Sequence, residues 1–201
     1  ALDSLDVTAD LINAGAISMG AGPLTFTAND VVLGGPAGSI VGTGIVTLQP
    51  LTAATTIGLG DAAAGTFTLT TAELGTLAGG FSQIVIGRAD GTGGINILAS
   101  TFRDPVLLRS PSGGTINVDG ALTGTTDASF TFRGLTTLSA NVVTAGATIT
   151  FEDDVQVDAA VVVDSTQANA VPTGANIDFQ GTVDATAAMG AESLIVNAGN
   201  M

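Results

Sequence analysis

Apolar and polar residues alternate through this chain in short bursts, the period-two signature of strands with one buried face. The bursts begin with Leu5-Asp6-Val7-Thr8-Ala9, Leu24-Thr25-Phe26-Thr27-Ala28, Ile45-Val46-Thr47-Leu48, Ile57-Gly58-Leu59 and Phe67-Thr68-Leu69. They continue through Ile84-Val85-Ile86, Ile95-Asn96-Ile97, Ile116-Asn117-Val118, Phe130-Thr131-Phe132, Ile149-Thr150-Phe151, Val155-Gln156-Val157, Ile177-Asp178-Phe179 and Leu194-Ile195-Val196. Val, Ile, Phe and Thr dominate them, the residues that suit a pleated, half-buried surface. Gly, Asn, Asp and Pro fill the intervals and punctuate the strands. One stretch, Thr70-Thr71-Ala72-Glu73-Leu74-Gly75-Thr76-Leu77, predicts a helix of a single turn, with a Thr as cap and Gly75 as interruption.

Short strands with regular turns fit a sandwich, a barrel or a solenoid, so spacing decides. Leu5 aligns with Leu24 at an offset of 19, Leu24 with Ile45 at 21, and Ile95 with Ile116 again at 21. A Gly followed closely by Ile-x-[Ile/Val/Phe] recurs at Gly94, Gly114, Gly146 and Gly174, and Ile116 to Ile177 spans 61 residues, close to three units. Offsets of 28 and 33 between other copies mark turns that bulge into loops. An imperfect repeat of about twenty residues is the period of a parallel β-helix, whose coils each add a rung of short strands about 4.8 Å from the last. The sequence thus predicts an all-β fold, one continuous β-solenoid over residues 1–201, with about ten coils of roughly twenty residues. A sandwich would need two-residue hairpin turns, for which only Asp90-Gly91 and Asp119-Gly120 qualify. The residues expected to point inward are Leu24, Phe26, Ile45, Ile84, Ile86, Ile95, Ile97, Ile116, Val118, Ile149, Phe151, Ile177 and Phe179.

Composition sharpens this picture mainly by exclusion. With 45% hydrophobic residues and a mean hydropathy of +0.53 the chain is too apolar for a disordered one. No apolar run reaches the length of about 18 residues that a membrane helix needs, so membrane insertion is not expected. Cys, His, Trp, Tyr and Lys are all absent. Thiolate and imidazole metal sites, His-dependent triads and Schiff-base chemistry therefore drop out. Eighteen acidic residues against four Arg give a net charge of −14, which repels nucleic acid.

The run from Thr56 to Ile97, TIGLGDAAAGTFTLTTAELGTLAGGFSQIVIGRADGTGGINI, resembles a segment of giant secreted bacterial proteins of the filamentous-haemagglutinin type. The flanks SLDVTADLINAGAI and FRDPVLLRSPSGGTINVDGAL, followed by Ser129 to Phe132, look similar too. The resemblance implies a right-handed parallel β-helix shaft, a location outside the cell or on the bacterial cell surface, and a role in adhesion or scaffolding.

Among the side chains left to carry chemistry, Glu152-Asp153-Asp154 is the densest acidic cluster. In a strand Glu152 and Asp154 would share a face about 6.5–7 Å apart. Three readings follow: an exposed acidic turn at a corner, a Ca²⁺ site formed by Glu152, Asp153 and Asp154, or a carboxylate pair acting on a polysaccharide. The first needs no ligand, and no enzyme activity is expected. Gly87 to Gly94 lacks the Lys-Ser/Thr of a phosphate loop and reads as a corner between rungs. Arg88, Arg103, Arg109 and Arg133 would form a site for an anion or a carbohydrate carboxylate if stacked on one face, whereas Arg103-Asp104 and Arg88 near Asp90 read as local ion pairs. Thr pairs are too scattered to sustain an ice-binding row.

Leu2, Leu5 and Val7 near one end, and Leu194 and Val196 near the other, continue the inward pattern. Ala1 is not an initiator Met, and Ala198-Gly199-Asn200-Met201 follows directly on an apolar burst, as a cut through a longer pattern or a short frayed tail would. The expected partner is the chain itself, head to tail or within a longer solenoid, with host or matrix polysaccharide as a further partner.

Overall fold

The computed structural model describes residues 2–186, 190 and 192–199; the expectations attached to Ala1, Asn200 and Met201 lie outside the described residues. The fold is all-β with one turn of helix. A first sheet contains Leu5–Ala14, Leu24–Leu33, Ile45–Pro50, Gln83–Gly87, Val106–Arg109, Phe130–Arg133, Ile149–Phe151 and Ile177–Phe179, stacked in chain order. A second holds Ser100–Phe102, Leu122–Gly124, Val142–Val143, Ala160–Asp164 and Ser193–Asn197. A third runs from Val183–Ala185 through Val155–Val157, Leu135–Leu138, Thr115–Val118 and Ile95–Ile97 to Ile57–Leu59 and Phe67–Leu69. From Gln83 onward the chain visits first, third and second sheet in strict rotation, and each return pairs beside the previous visit. Every ladder among the described residues is parallel, the one antiparallel contact being the isolated bridge Ala145–Thr166. That pattern excludes a hairpin sandwich, and Asp90-Gly91 and Asp119-Gly120 instead lie between strands of different sheets.

The rungs are less regular than the sequence spacing suggests. Along the first sheet successive partners Leu5, Leu24, Val46, Ile84, Val106, Phe130, Ile149 and Ile177 are 19, 22, 38, 22, 24, 19 and 28 residues apart. Among the described residues the first sheet has eight rungs, where about ten coils were expected. The 38-residue step has a specific cause: Phe67–Leu69 doubles back onto the far side of Ile57–Leu59 instead of advancing. The helical turn Thr71–Leu74 then carries the chain back toward the first sheet. Its capping box is complete, with Thr70 Oγ1 accepting from Glu73 N at 3.2 Å and Glu73 Oε2 accepting from Thr70 N at 2.8 Å. The 61-residue relation between Ile116 and Ile177 is not a repeat, because these residues lie in different sheets, and the 33-residue offset between Ile116 and Ile149 fails for the same reason. The 28-residue offset is real and joins Ile149 to Ile177.

Inward residues of the three sheets share one apolar core running the length of the stack. Phe132, Phe151 and Phe179 lie face to face, with ring centroids 4.7 and 4.9 Å apart, so the aromatic column keeps the rung spacing. Leu24, Phe26, Ile84, Ile86, Ile95, Ile97, Ile116, Val118, Ile149 and Phe151 are buried as their alternation predicts. Ile45 is a correction: it is 43% exposed, and Val46 and Leu48 point inward in its place. Thr47 and Gln49 settle that parity, since the opposite register would bury both. Ile177 and Phe179 are half-buried, as are Leu5, Val7 and Leu194, while Leu2 and Val196 are exposed. Val196 is in register with buried Val163; as a member of the last described rung it has core on one side only.

Leu108→Asp places an unpaired charge in the core and is expected to cost several kcal/mol in urea denaturation. Ile45→Asp should stay within about 0.5 kcal/mol of the parent. Reversed magnitudes would mean that the first sheet is out of register by one residue.

Candidate functional site

The corner where the first sheet turns into the third collects the acidic run. Phe151 ends its strand inside the core, and Glu152-Asp153-Asp154 then crosses to Val155–Val157. The three carboxylates lie beside a shallow open groove of about 400 Å³, bordered also by Pro111, Gly134 and Gly181. Each carboxylate reaches a different part of a neighbouring rung. Glu152 takes both oxygens to Arg133, at 2.5 Å from Nε and 3.0 Å from Nη2. Asp153 Oδ2 accepts from Gly134 N at 2.7 Å, and Asp154 Oδ1 accepts from Thr182 N at 2.8 Å. The run therefore stitches three successive rungs together at a place where the ladder leaves backbone N–H groups unpaired. Gly134 is required here: its φ is +133°, and a Cβ would lie 2.8 Å from Ser110 O.

This arrangement favours the acidic-turn reading of Glu152, Asp153 and Asp154. Among the described residues no group of three or more carboxylates is placed to hold a metal ion. The pairing with Glu152 raises the Arg133 pKa, first through the hydrogen bond and then through the charge of its partner. Alternation along the strand puts Arg133 and Glu152 on the outer face, but the sequence alone did not reveal their pairing, which needs the 19-residue register between rungs.

The same device recurs elsewhere. Asp104 does not pair with Arg103 as expected; it is buried, and its two oxygens accept from Gly80 N at 2.7 Å and Phe81 N at 3.2 Å. Burial raises its pKa, and the two N–H groups offset only part of that rise. Asp164 is buried too and accepts from Thr166 N, Thr166 Oγ1 and Ala168 N at 2.6, 2.6 and 2.8 Å. Burial alone would raise its pKa, but the Thr166 hydroxyl and the two N–H groups outweigh it and leave the carboxyl low. Asp164 thus lends stability above the usual aspartate range near 3.9, lost as pH falls through its own lower pKa; Asp104 acts oppositely, its charged form costing stability as pH rises through its elevated pKa. The Asp164 contacts hold a turn in which Gln167, Ala168 and Asn169 all have φ between 51° and 69°. Three consecutive non-Gly residues in that region are costly, and of the three only Asn169 is of a type that favours it.

The arginines divide. Arg88 binds Asp90 through Nε at 2.8 Å and Nη2 at 3.0 Å, the expected local pair. The Gly-rich segment 87–94 is a corner, as expected, held by Thr92 N and Gly93 N donating to Ala53 O. Arg88, Arg109 and Arg133 gather on one edge of the first sheet, with Arg109 and Arg133 direct partners across the ladder, while Arg103 lies apart. With these geometries in hand, comparison with known proteins returns no matching family model, curated protein or solved structure.

If the acidic run serves the backbone, Asp153→Ala leaves Gly134 N–H without its acceptor and should cost about 1–3 kcal/mol. Glu152→Gln, which removes a partly exposed ion pair, should cost about 0–1 kcal/mol. Millimolar Ca²⁺ should leave the melting temperature unchanged; a calcium-dependent rise abolished by Asp153→Ala would assign the run to a cation instead.

Proposed function

We propose that the chain is a closed, right-handed parallel β-helix acting as a structural or adhesive element outside the cell or on a bacterial surface. It forms part of a shaft or a subunit of a filament or matrix. The observation that carries this reading is the all-parallel stacking of sheets around one core, three of them visited in strict rotation from Gln83 onward. Such a body transmits its backbone pairing along an axis and extends by adding rungs. The resemblance of residues 56–97 to the filamentous-haemagglutinin type supports the handedness, the location and the adhesive role.

The partner in this reading is more of the same structure, either continuous in one chain or stacked head to tail. Ile177–Phe179, Val183–Ala185 and Ser193–Asn197 present edges on which no other described strand pairs. Val183 and Val196 on these strands are 41% and 45% exposed, although their ladder partners Val155 and Val163 are fully buried. A further rung would cover both the apolar positions and the unpaired backbone groups. The charge of −14 opposes lateral clumping, which leaves axial growth as the favoured direction. No catalytic role is part of the proposal. The acidic run that would have to supply one is bound to the backbone and to Arg133.

Electron microscopy and light scattering of the purified chain across a concentration series should show rods that lengthen without thickening. A monomer that stays monodisperse at high concentration, with both ends folded over, would overturn head-to-tail stacking. Release of reducing sugars from a polysaccharide would overturn the structural role.

A further inference from the structure

The first sheet runs through eight strands from Leu5–Ala14 to Ile177–Phe179, and its parallel ladders carry three neighbouring columns from end to end without a slip. Two of the columns point inward. They begin at Leu5 and Val7 and end at Ile177 and Phe179. Every member between these ends is at most 2% exposed, whereas the four end residues are only half-buried. The column between them points outward, beginning at Asp6 and ending at Asp178. Its interior members, Thr25, Thr47, Val85, Leu107, Thr131 and Thr150, carry no charge. Carboxylates therefore stand in this column only where it stops.

The surrounding charges have the same sign. Asp3 and Asp10 accompany Asp6, Asp184 and Glu192 accompany Asp178, and no arginine precedes Arg88 or follows Arg133. Asp6 and Asp178 are both exposed, and the residues facing them across the ladder, Thr25 and Thr150, are neutral. Gln180 Nε2 donates to Asp178 Oδ2 at 2.9 Å and leaves its charge in place. A further rung that continues the columns sets the next copy's Leu5 on Ile177 and its Val7 on Phe179. That step covers the last ring of the Phe132–Phe151–Phe179 stack and completes the core. It also brings the next copy's Asp6 opposite Asp178, with the strands about 4.8 Å apart. A slip of one residue would separate the carboxylates but turn Leu5 and Val7 outward. Leu2, bridged to Met19 beside the second sheet, leaves the first-sheet edge open.

We propose that Asp6 and Asp178 form a charge gate on axial growth: a second copy of this chain stacks its Leu5–Val7 on Ile177–Phe179, and the two carboxylates it brings together set how readily it does so. Charges on an edge strand are a device that keeps open edges from pairing unchecked. A like-charge contact in register weakens the joint several-fold, while apolar burial and backbone pairing on the same strands favour it, so the gate restrains stacking without forbidding it. The inference rests on the head-to-tail reading proposed above and adds to it a register and a restraint.

The test is light scattering of the whole chain at pH 7, reading the concentration at which rods appear. It is run in about 0.01 M and about 1 M salt, where charges are screened beyond about 30 Å and about 3 Å. In low salt Asp6→Asn and Asp178→Asn should each lower that concentration about two- to fivefold. Asp178→Arg should lower it further, and adding Asp6→Arg to that variant should raise it again, because two cations then face each other. In high salt the parent and the two Asn variants should converge. Asp127→Asn removes the same charge from an exposed turn in the middle of the stack and should behave like the parent. Melting curves identify any variant that fails to fold, and since Asp6 and Asp178 lie at opposite ends, either one decides the matter alone. Equal thresholds for the parent and the Asn variants, or a shift as large from Asp127→Asn, overturn the gate while the rods remain. Absence of rods from every variant at both salt concentrations overturns head-to-tail stacking, and the gate with it.

Discussion

The structure depends on one constraint: apart from Phe67–Leu69, which pairs with Ile57–Leu59 just before it, each described strand finds its backbone partners in neighbouring rungs and not in its sequence neighbour. Parallel strands are buried on the core side and paired on both edges, so the ladder satisfies N–H and C=O groups wherever the chain is extended. It cannot do so at corners, where the chain leaves one sheet for the next. Those positions need acceptors supplied by side chains, and the sequence places carboxylates there. Asp104, Asp153, Asp154 and Asp164 each accept from backbone N–H groups near a turn.

This requirement accounts for part of the charge asymmetry. A carboxylate offers only acceptors, and a corner needs acceptors for its N–H groups. An arginine offers only donors and has fewer such uses in this fold. Arg88 and Arg109 use theirs on carbonyls at the edge of the first sheet, at Pro50, Leu51 and Gly87. The excess of acid is thus partly a consequence of architecture. It also gives the outer surface a negative field against which the arginine edge stands out.

Alternation made the strands legible, and it also identified most of the core, the capped turn at Thr70–Glu73 and the Gly-rich corner at 87–94. It failed where parity was ambiguous: Ile45 and Val46 are adjacent aliphatics, and only the polar positions Thr47 and Gln49 decide between them. Spacing failed where one motif serves two sheets, since Ile-x-[Ile/Val/Phe] marks an inward strand without naming its sheet. The doubling back of Phe67–Leu69 was invisible for that reason, because its burst looks like any other. The roles of Glu152, Asp153 and Asp154 were out of reach, because a corner acceptor is defined by a rung 19 or 28 residues away. The left-handed run at 167–169 carries only Asn169 as a mark, since Gln167 and Ala168 give no sign of it.

The most direct test of the account is the register itself, and a chain without cysteine makes it clean. Thr131 and Thr150 are ladder partners on the outer face of the first sheet. Rungs about 4.8 Å apart place their Cα atoms within the range that a disulfide spans. Asn117 and Thr150, separated by 33 residues in sequence, lie in different sheets. Mild oxidation of the double variant Thr131→Cys, Thr150→Cys should give an intramolecular disulfide in nearly every molecule, and Asn117→Cys, Thr150→Cys should give none. A cross-link in the second variant and none in the first would contradict the rung register on which the rest of the structure is built.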